Sequence, residues 1–136
     1  MENEKLEIVK ITTGVITSIV TSLFGGMDDL FIMLLIMIVV DFISGMLKAI
    51  YKKEIDSNKF FMGGMRKVSI LLVVVVSTQI DVYMGVGISL RTVTITYYII
   101  SEGLSFIENI SVYVDLPEGF IEYFKKEEDD ELWQKR

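Results

Sequence analysis

The sequence predicts an all-α integral membrane protein with about four transmembrane helices and a homo-oligomeric assembly. Of the 136 residues, 51% are hydrophobic, and the mean hydropathy of +0.51 is too high for a soluble domain of this size. The apolar residues also come in blocks that are long enough to cross a hydrocarbon layer of roughly 30 Å. Together these observations favour membrane spans over a globular core.

The composition also excludes several function classes. The chain has no cysteine and no histidine, which removes disulfide frameworks, Cys/His zinc sites, thiol nucleophiles and the Ser-His-Asp triad. The formal net charge of -6 argues against nucleic-acid binding, because that function needs a basic surface. We therefore expect no enzymatic activity, no metal, no cofactor and no nucleic-acid partner.

The first predicted helix, residues 8–24, is amphipathic. At 100° per residue, small and hydroxyl-bearing side chains gather on one face and large apolar side chains on the other. The hydroxyl face consists of Gly14, Thr17, Ser18, Thr21 and Ser22. A length of about 17 residues is the lower limit for a span, so the helix either crosses the membrane or lies in its interface. The face could pack closely against another helix or line a water-filled lumen.

The second predicted helix, residues 30–50, has a carboxylate inside an apolar span. Leu30–Val40 is unbroken apolar sequence, and Asp41, Ser44 and Gly45 follow on one helix face. A carboxylate near the middle of a span costs roughly 2.5 to 3.5 kcal/mol unless it meets a polar partner or water. Two interpretations remain open for this face: helix packing with a hydrogen-bonded Asp41, or the lining of a wet pathway.

The third and fourth predicted helices, residues 66–84 and 90–110, complete a transmembrane domain of residues 1–111. The Val73–Val76 run would suggest a strand in water, but in lipid each segment must satisfy its own backbone, which favours helix. In the fourth helix, Glu102, Ser105 and Asn109 share one face. Residues 112–136 form a charged tail.

The distribution of basic residues predicts the orientation in the bacterial cytoplasmic membrane. The predicted hairpin loop 48–67 contains six of them, whereas the two opposite loops together have only Arg91. Short loops rich in lysine and arginine stay in the cytoplasm. The loop and the C-terminal tail are therefore expected to be cytoplasmic, and so is the N-terminus if the first helix crosses.

Several charged residues are expected to meet near the cytoplasmic ends of the helices. Lone carboxylates facing lipid would together cost of order 10 kcal/mol, so a buried ion-pair cluster is predicted. Its candidate members are Asp41, Arg66, Lys67, Glu102 and Glu108. The alternative for Glu108 is a helix cap at the membrane interface, in contact with water. The same alternative applies to Asp81, near the outer boundary of the membrane.

Three segments in this order resemble the phage holin family that includes toxin-secretion holins. They are Asp41–Gly45 (DFISG), Gly64–Lys67 (GMRK) and Ser101–Ser105 (SEGLS), the last followed by Ile107–Asn109 (IEN). The resemblance covers roughly Leu30 to Pro117. By position, it implies that the family's signature residues here are Asp41, Gly45, Gly64, Arg66, Lys67, Glu102, Gly103, Glu108 and Asn109, none of them catalytic.

The resemblance implies a protein that oligomerises with itself in membrane lipid and opens a large, unselective pore. An endolysin or a protein toxin would leave the cell through that pore. Two alternatives remain open. One is a small proton-coupled transporter in which Asp41 or Glu102 titrates, and the other is an inhibitory antiholin that co-assembles with a holin.

Overall fold

The computed structural model describes residues 1–85, 89–117, 119–120 and 122. This part of the chain folds into four α-helices and no strand, which confirms the predicted all-α class. The helices are α1 (Glu2–Phe24), α2 (Asp29–Tyr51), α3 (Ser57–Met84) and α4 (Leu90–Ile110). Of these, α1, α2 and α3 are long enough and apolar enough to cross a membrane.

The fourth helix has 21 residues and is not among the three candidate spans; it carries three charged side chains, Arg91, Glu102 and Glu108. Arg91 and Glu102 are buried in the protein. Two of these three charged side chains are therefore covered by neighbouring helices, whereas Glu108 is exposed, and the suitability of α4 for the membrane depends on packing and not on its composition alone.

Local sequence determines where the helices begin and end. The side chains of Asp28, Asp56 and Ser89 each accept a hydrogen bond from a backbone N–H in the first turn of α2, α3 and α4, as polar N-cap residues do. The helices α1 and α3 end at Gly25 and Gly85, which adopt left-handed backbone conformations with φ of 75° and 57°. Glycine adopts this conformation without steric cost.

Two helices begin earlier than the sequence predicted. Helix α1 starts at Glu2 and not at residue 8, and α3 starts at Ser57 and not at residue 66. The connection between α2 and α3 is therefore residues 52–56, much shorter than the predicted loop 48–67. Hydropathy marks the part of a helix that suits hydrocarbon, whereas the cap at Asp56 sets where the helix itself begins. Most of the predicted tail, residues 123–136, lies outside the described residues.

The packing joins α2, α3 and α4 around a small apolar core. Helices α2 and α4 run parallel and form the most extensive interface, and α3 packs across α4. The core consists of Phe31, Leu34 and Ile38 from α2, Ile70 and Val74 from α3, and Ile95 from α4. Helix α1 contributes no buried residue. It meets the others near its end, where Phe24 stacks on Phe31 with ring centroids 4.8 Å apart.

Candidate functional site: two polar clusters and an uncovered helix face

Two polar clusters lie at opposite ends of the apolar core. The Arg91 cluster joins the beginnings of α2 and α4 and consists of Asp28, Asp81 and Arg91. The Lys67 cluster joins the second halves of the same two helices to α3 and consists of Asp41, Ser44, Lys67, Glu102 and Asn109. Both clusters place charged groups between helices, where apolar side chains alone would not fix the register.

The ammonium group of Lys67 lies between two carboxylates from different helices. It donates to Oδ2 of Asp41 on α2 and to Oε2 of Glu102 on α4. The Glu102 side chain is completely buried, and the Asp41 side chain is 7% exposed. Buried charges are tolerated only when paired and hydrogen-bonded. Two carboxylates and one ammonium group give the cluster a net charge of -1 when all three are ionised.

Asn109 connects the end of α4 to α2. Its amide nitrogen donates to Asp41 Oδ1 at 3.1 Å and to Ser44 Oγ at 3.2 Å. Its amide oxygen accepts from Lys48 Nζ at 3.3 Å. A Cβ atom added at Gly45 would lie 3.5 Å from the Asn109 amide nitrogen, so the glycine lets the two helices approach at this level.

Two predicted members of this cluster, Arg66 and Glu108, form no ion pair with it among the described residues. Both side chains are exposed. Each stands next to a residue that does join the cluster, Lys67 or Asn109. Successive residues on a helix point about 100° apart, so only one of each neighbouring pair can face the other helices. Ser105 is half-buried on α4.

Arg91 holds the connection between α1 and α2 against α4. Its guanidinium group makes a two-pronged contact with Asp28, with Nη1–Oδ2 at 2.6 Å and Nη2–Oδ1 at 3.1 Å. It also donates to the backbone carbonyls of Phe24 and Gly26. The pairing with Arg91 lowers the pKa of the Asp28 carboxyl below its usual range. One buried arginine thus joins three segments of the chain.

Asp81 caps the beginning of α4 from the end of α3. Its carboxylate accepts from Ser89 Oγ at 3.0 Å and from the backbone N–H groups of Leu90 and Arg91, both at 2.8 Å. These N–H groups have no partner within the helix, and the helix dipole favours a negative charge here. Asp81 is half-buried and caps a helix, whereas its predicted place at the membrane boundary stays a prediction.

Sequence reasoning missed the pairing of Arg91 with Asp28. The available signal was that Arg91 is the only basic residue in the two loops predicted at this end of the helices, while the first of these predicted loops contains adjacent acids, Asp28 and Asp29. Because Asp28 also caps α2, its carboxylate is fixed at a helix beginning. Among the described residues, no group of histidine, cysteine or acidic side chains is arranged to hold a metal ion.

The hydroxyl face of α1 is not covered by any other part of the described chain. All five of its residues are exposed, namely Gly14, Thr17, Ser18, Thr21 and Ser22. The contact nearest to it is made by Gln79 of α3, whose amide nitrogen donates to the backbone carbonyls of Ser22 and Leu23. Within the described residues, no other helix covers this face.

Comparison with known proteins assigns the chain to a family. Residues 18–127 match the bacteriophage holin family, a range that contains both polar clusters. A probable holin of Bacillus phage phi105 is 39% identical over 89 residues, which are 65% of this chain and 65% of the phage protein. An uncharacterized protein of Clostridium perfringens strain 13 is 33% identical over 115 residues, 82% of this chain and 85% of its own length.

An uncharacterized protein of Listeria monocytogenes is 38% identical over 87 residues, 64% of this chain. The chain spans about 62% of the length of that relative. No solved structure shows significant similarity to the chain. The family match covers α2, α3 and α4 completely, and α1, α2 and α3 are suited to crossing a bilayer. The chain is therefore a membrane protein that belongs to the bacteriophage holin family.

Proposed function

We propose that this chain is a holin, which assembles with copies of itself in the bacterial cytoplasmic membrane into a large, unselective pore. An endolysin or a protein toxin leaves the cell through that pore. The observation that carries the proposal is the family match over residues 18–127. The similarity to the probable holin of phage phi105 supports it, as do the three helices suited to crossing a bilayer.

We assign the lining of the pore to the hydroxyl face of α1. The charged groups of α2 and α4 at Asp41 and Glu102 are already engaged by Lys67 inside the protomer, so their role in this proposal is helix packing. The hydroxyl face is exposed along its length. Hydroxyl groups are stable beside either lipid or water and bind no ion tightly, which suits a wide opening without selectivity.

The orientation in this proposal follows from the basic residues around the α2–α3 connection. Lys48, Lys52, Lys53 and Lys59 lie at this end of the helices, whereas the opposite end has Arg91, which is paired with Asp28. The lysine-rich end is assigned to the cytoplasm. With α1 crossing the membrane, both termini are then cytoplasmic.

The direct test is to express the chain alone in bacteria and to measure the release of a protein-sized cytoplasmic marker. A holin releases the marker, whereas a proton-coupled transporter retains it while the membrane potential changes. An antiholin expressed alone leaves both the marker and the potential unchanged. Retention of the marker at high expression would overturn the proposed pore.

The role of α1 is tested by replacing hydroxyl groups with apolar side chains of similar reach. Thr17→Leu with Thr21→Leu should abolish marker release, because the lumen loses its polar lining while insertion into lipid remains favourable. The matched control, Val15→Leu with Ile19→Leu, changes the opposite face of the same turns and should release the marker normally. Equal marker release by both variants would contradict the assignment of α1 as the pore lining.

A further inference from the structure

A cleft opens beside the Lys67 cluster, between α2 and the first turns of α3, with a volume of about 310 Å³. Its lining includes Gly45, Ala49 and Gly63, which present no side chain or only a methyl group. A Cβ atom added at Gly63 would meet nothing within 4 Å. The small residues therefore leave space between the two helices.

The cleft carries an excess of positive charge that the protein itself does not neutralise. Its basic lining residues are Lys48, Lys52, Lys59, Arg66 and Lys67, and its acidic ones are Asp41 and Glu54. Lys67 pairs with Asp41 and with Glu102 behind the cleft, and Lys48 bonds to the uncharged Asn109. Within the described part of the chain, Lys52, Lys59 and Arg66 form no salt bridge. These three side chains are free to bind an anion.

The same cleft has an apolar wall, formed by Phe42, Met46 and Phe60. At a rise of about 1.5 Å per residue, Lys52 lies roughly 16 Å further along α2 than Asp41. The cleft therefore leads from the depth of the buried ion pair, within the span, to the basic end of the helix. A ligand that fills it needs a negatively charged group at one end and an apolar portion at the other.

We propose that this cleft binds the headgroup of an anionic phospholipid. Lys52, Lys59 and Arg66 hold the phosphate, and the upper part of an acyl chain lies along Phe42 and Met46. Basic pockets between transmembrane helices are suited to such headgroups, and arginine matches the geometry of phosphate oxygens. A free phosphate ion shares the charge but would leave the apolar wall unused. The proposal requires only a membrane location and does not rest on pore formation.

The test uses the full chain in detergent micelles and measures lipid retention by native mass spectrometry. Phosphatidylglycerol and phosphatidylcholine are added at equal concentration. We expect one phosphatidylglycerol to be retained in preference to phosphatidylcholine, and Lys52→Gln with Lys59→Gln to weaken its retention by roughly fivefold for each removed charge. The control Lys5→Gln with Lys10→Gln removes two exposed lysines from α1 and should retain the lipid as the unaltered chain does. Equal retention by the two double variants would overturn the proposal.

Two further arms locate the site and identify the source of the anion. Gly63→Leu fills the cleft without changing any charge and should also lose the bound lipid, with helical content checked by circular dichroism. Full retention by a folded Gly63→Leu variant would place the lipid outside the cleft and refute the assignment. Inorganic phosphate is added in the third arm. If it displaces phosphatidylglycerol, the site recognises a soluble anion and the lipid assignment fails.

Discussion

Lys67 on α3 forms an ion pair with the completely buried Glu102 on α4. The same ammonium group also pairs with Asp41 on α2, so a single side chain forms ion pairs with carboxylates from two other helices. Removing one partner of a buried ion pair costs more than replacing the whole pair, because a charge is then left without compensation. The stability of the three-helix packing should therefore be most sensitive to Lys67.

Lys67→Met should lower the free energy of unfolding by about 3 to 5 kcal/mol, because two buried carboxylates lose the cation that forms ion pairs with both of them. The neighbouring exposed Arg66 provides the control, and Arg66→Met should change stability by no more than about 0.5 kcal/mol. Reversible unfolding of the purified protein in mixed micelles measures both. Similar losses for the two variants would show that the ion pairs do not hold the helices together.

Asn109→Ala should destabilise the packing of α4 on α2 by roughly 1 to 3 kcal/mol, because Asp41 and Ser44 lose a buried donor. Ser105→Ala is the matched control one turn away on the same helix, and it removes a half-buried hydroxyl group outside the cluster. The comparison uses the same unfolding measurement. If Ser105→Ala destabilised the protein as much as Asn109→Ala, the loss of stability could not be attributed to the amide contacts of Asn109.

Gly25→Ala and Gly14→Ala should have opposite effects. At Gly25 the backbone φ is 75° and a Cβ atom would lie 3.0 Å from Arg91 Nε and 3.1 Å from Thr78 Cγ2, so alanine should destabilise the protein by at least about 1 kcal/mol. At Gly14, in the middle of α1, a Cβ atom would meet nothing within 4 Å. Alanine there should stabilise the helix by roughly 0.5 to 1 kcal/mol. Thermal unfolding followed by circular dichroism distinguishes the two directions.

The pairing of Asp28 with Arg91 predicts a dependence of stability on pH. The folded-state pKa of Asp28 lies below its ordinary value of 3.8, so the stabilisation is fully present above that value and is lost as pH falls through the folded pKa. Asp28→Asn should remove this component, and its stability should fall less than that of the unaltered chain on acidification below about pH 4. The difference between the two stability–pH curves is the measurement, since other carboxylates contribute equally to both. Parallel curves would contradict the prediction.

The sequence predicted the level of the charged side chains along the helix axes better than the rotation of each helix about its own axis. The distances from the helix ends predicted that Asp41, Glu102 and a basic residue share a level, and the structure has an ion pair there. The choice of Lys67 over Arg66, and of Asn109 over Glu108, depends on how each helix is rotated about its axis. That rotation is set by the apolar core as a whole, which no short segment specifies.

The helix boundaries and the Arg91 cluster show a second limit. Hydropathy predicted the apolar part of α3 but not its start at Ser57, because the cap at Asp56 lies in polar sequence. The contact between Arg91 and Asp28 joins residues 63 apart in the chain. The predicted spans already make α2 and α4 parallel, but which side chains meet between them depends on the rotation of each helix about its axis, which the spacing of neither residue specifies.

Because α1 contributes no buried residue, the folding of the chain and the shape of an opening built from α1 depend on different parts of the sequence. If the proposed function is right, substitutions in the exposed turns of α1 would alter the width or the wetting of the opening and leave the packing of the other three helices intact. Substitutions of Lys67 or Arg91 would instead break ion pairs between helices. Mutation could then change the proposed opening and the stability of the fold separately.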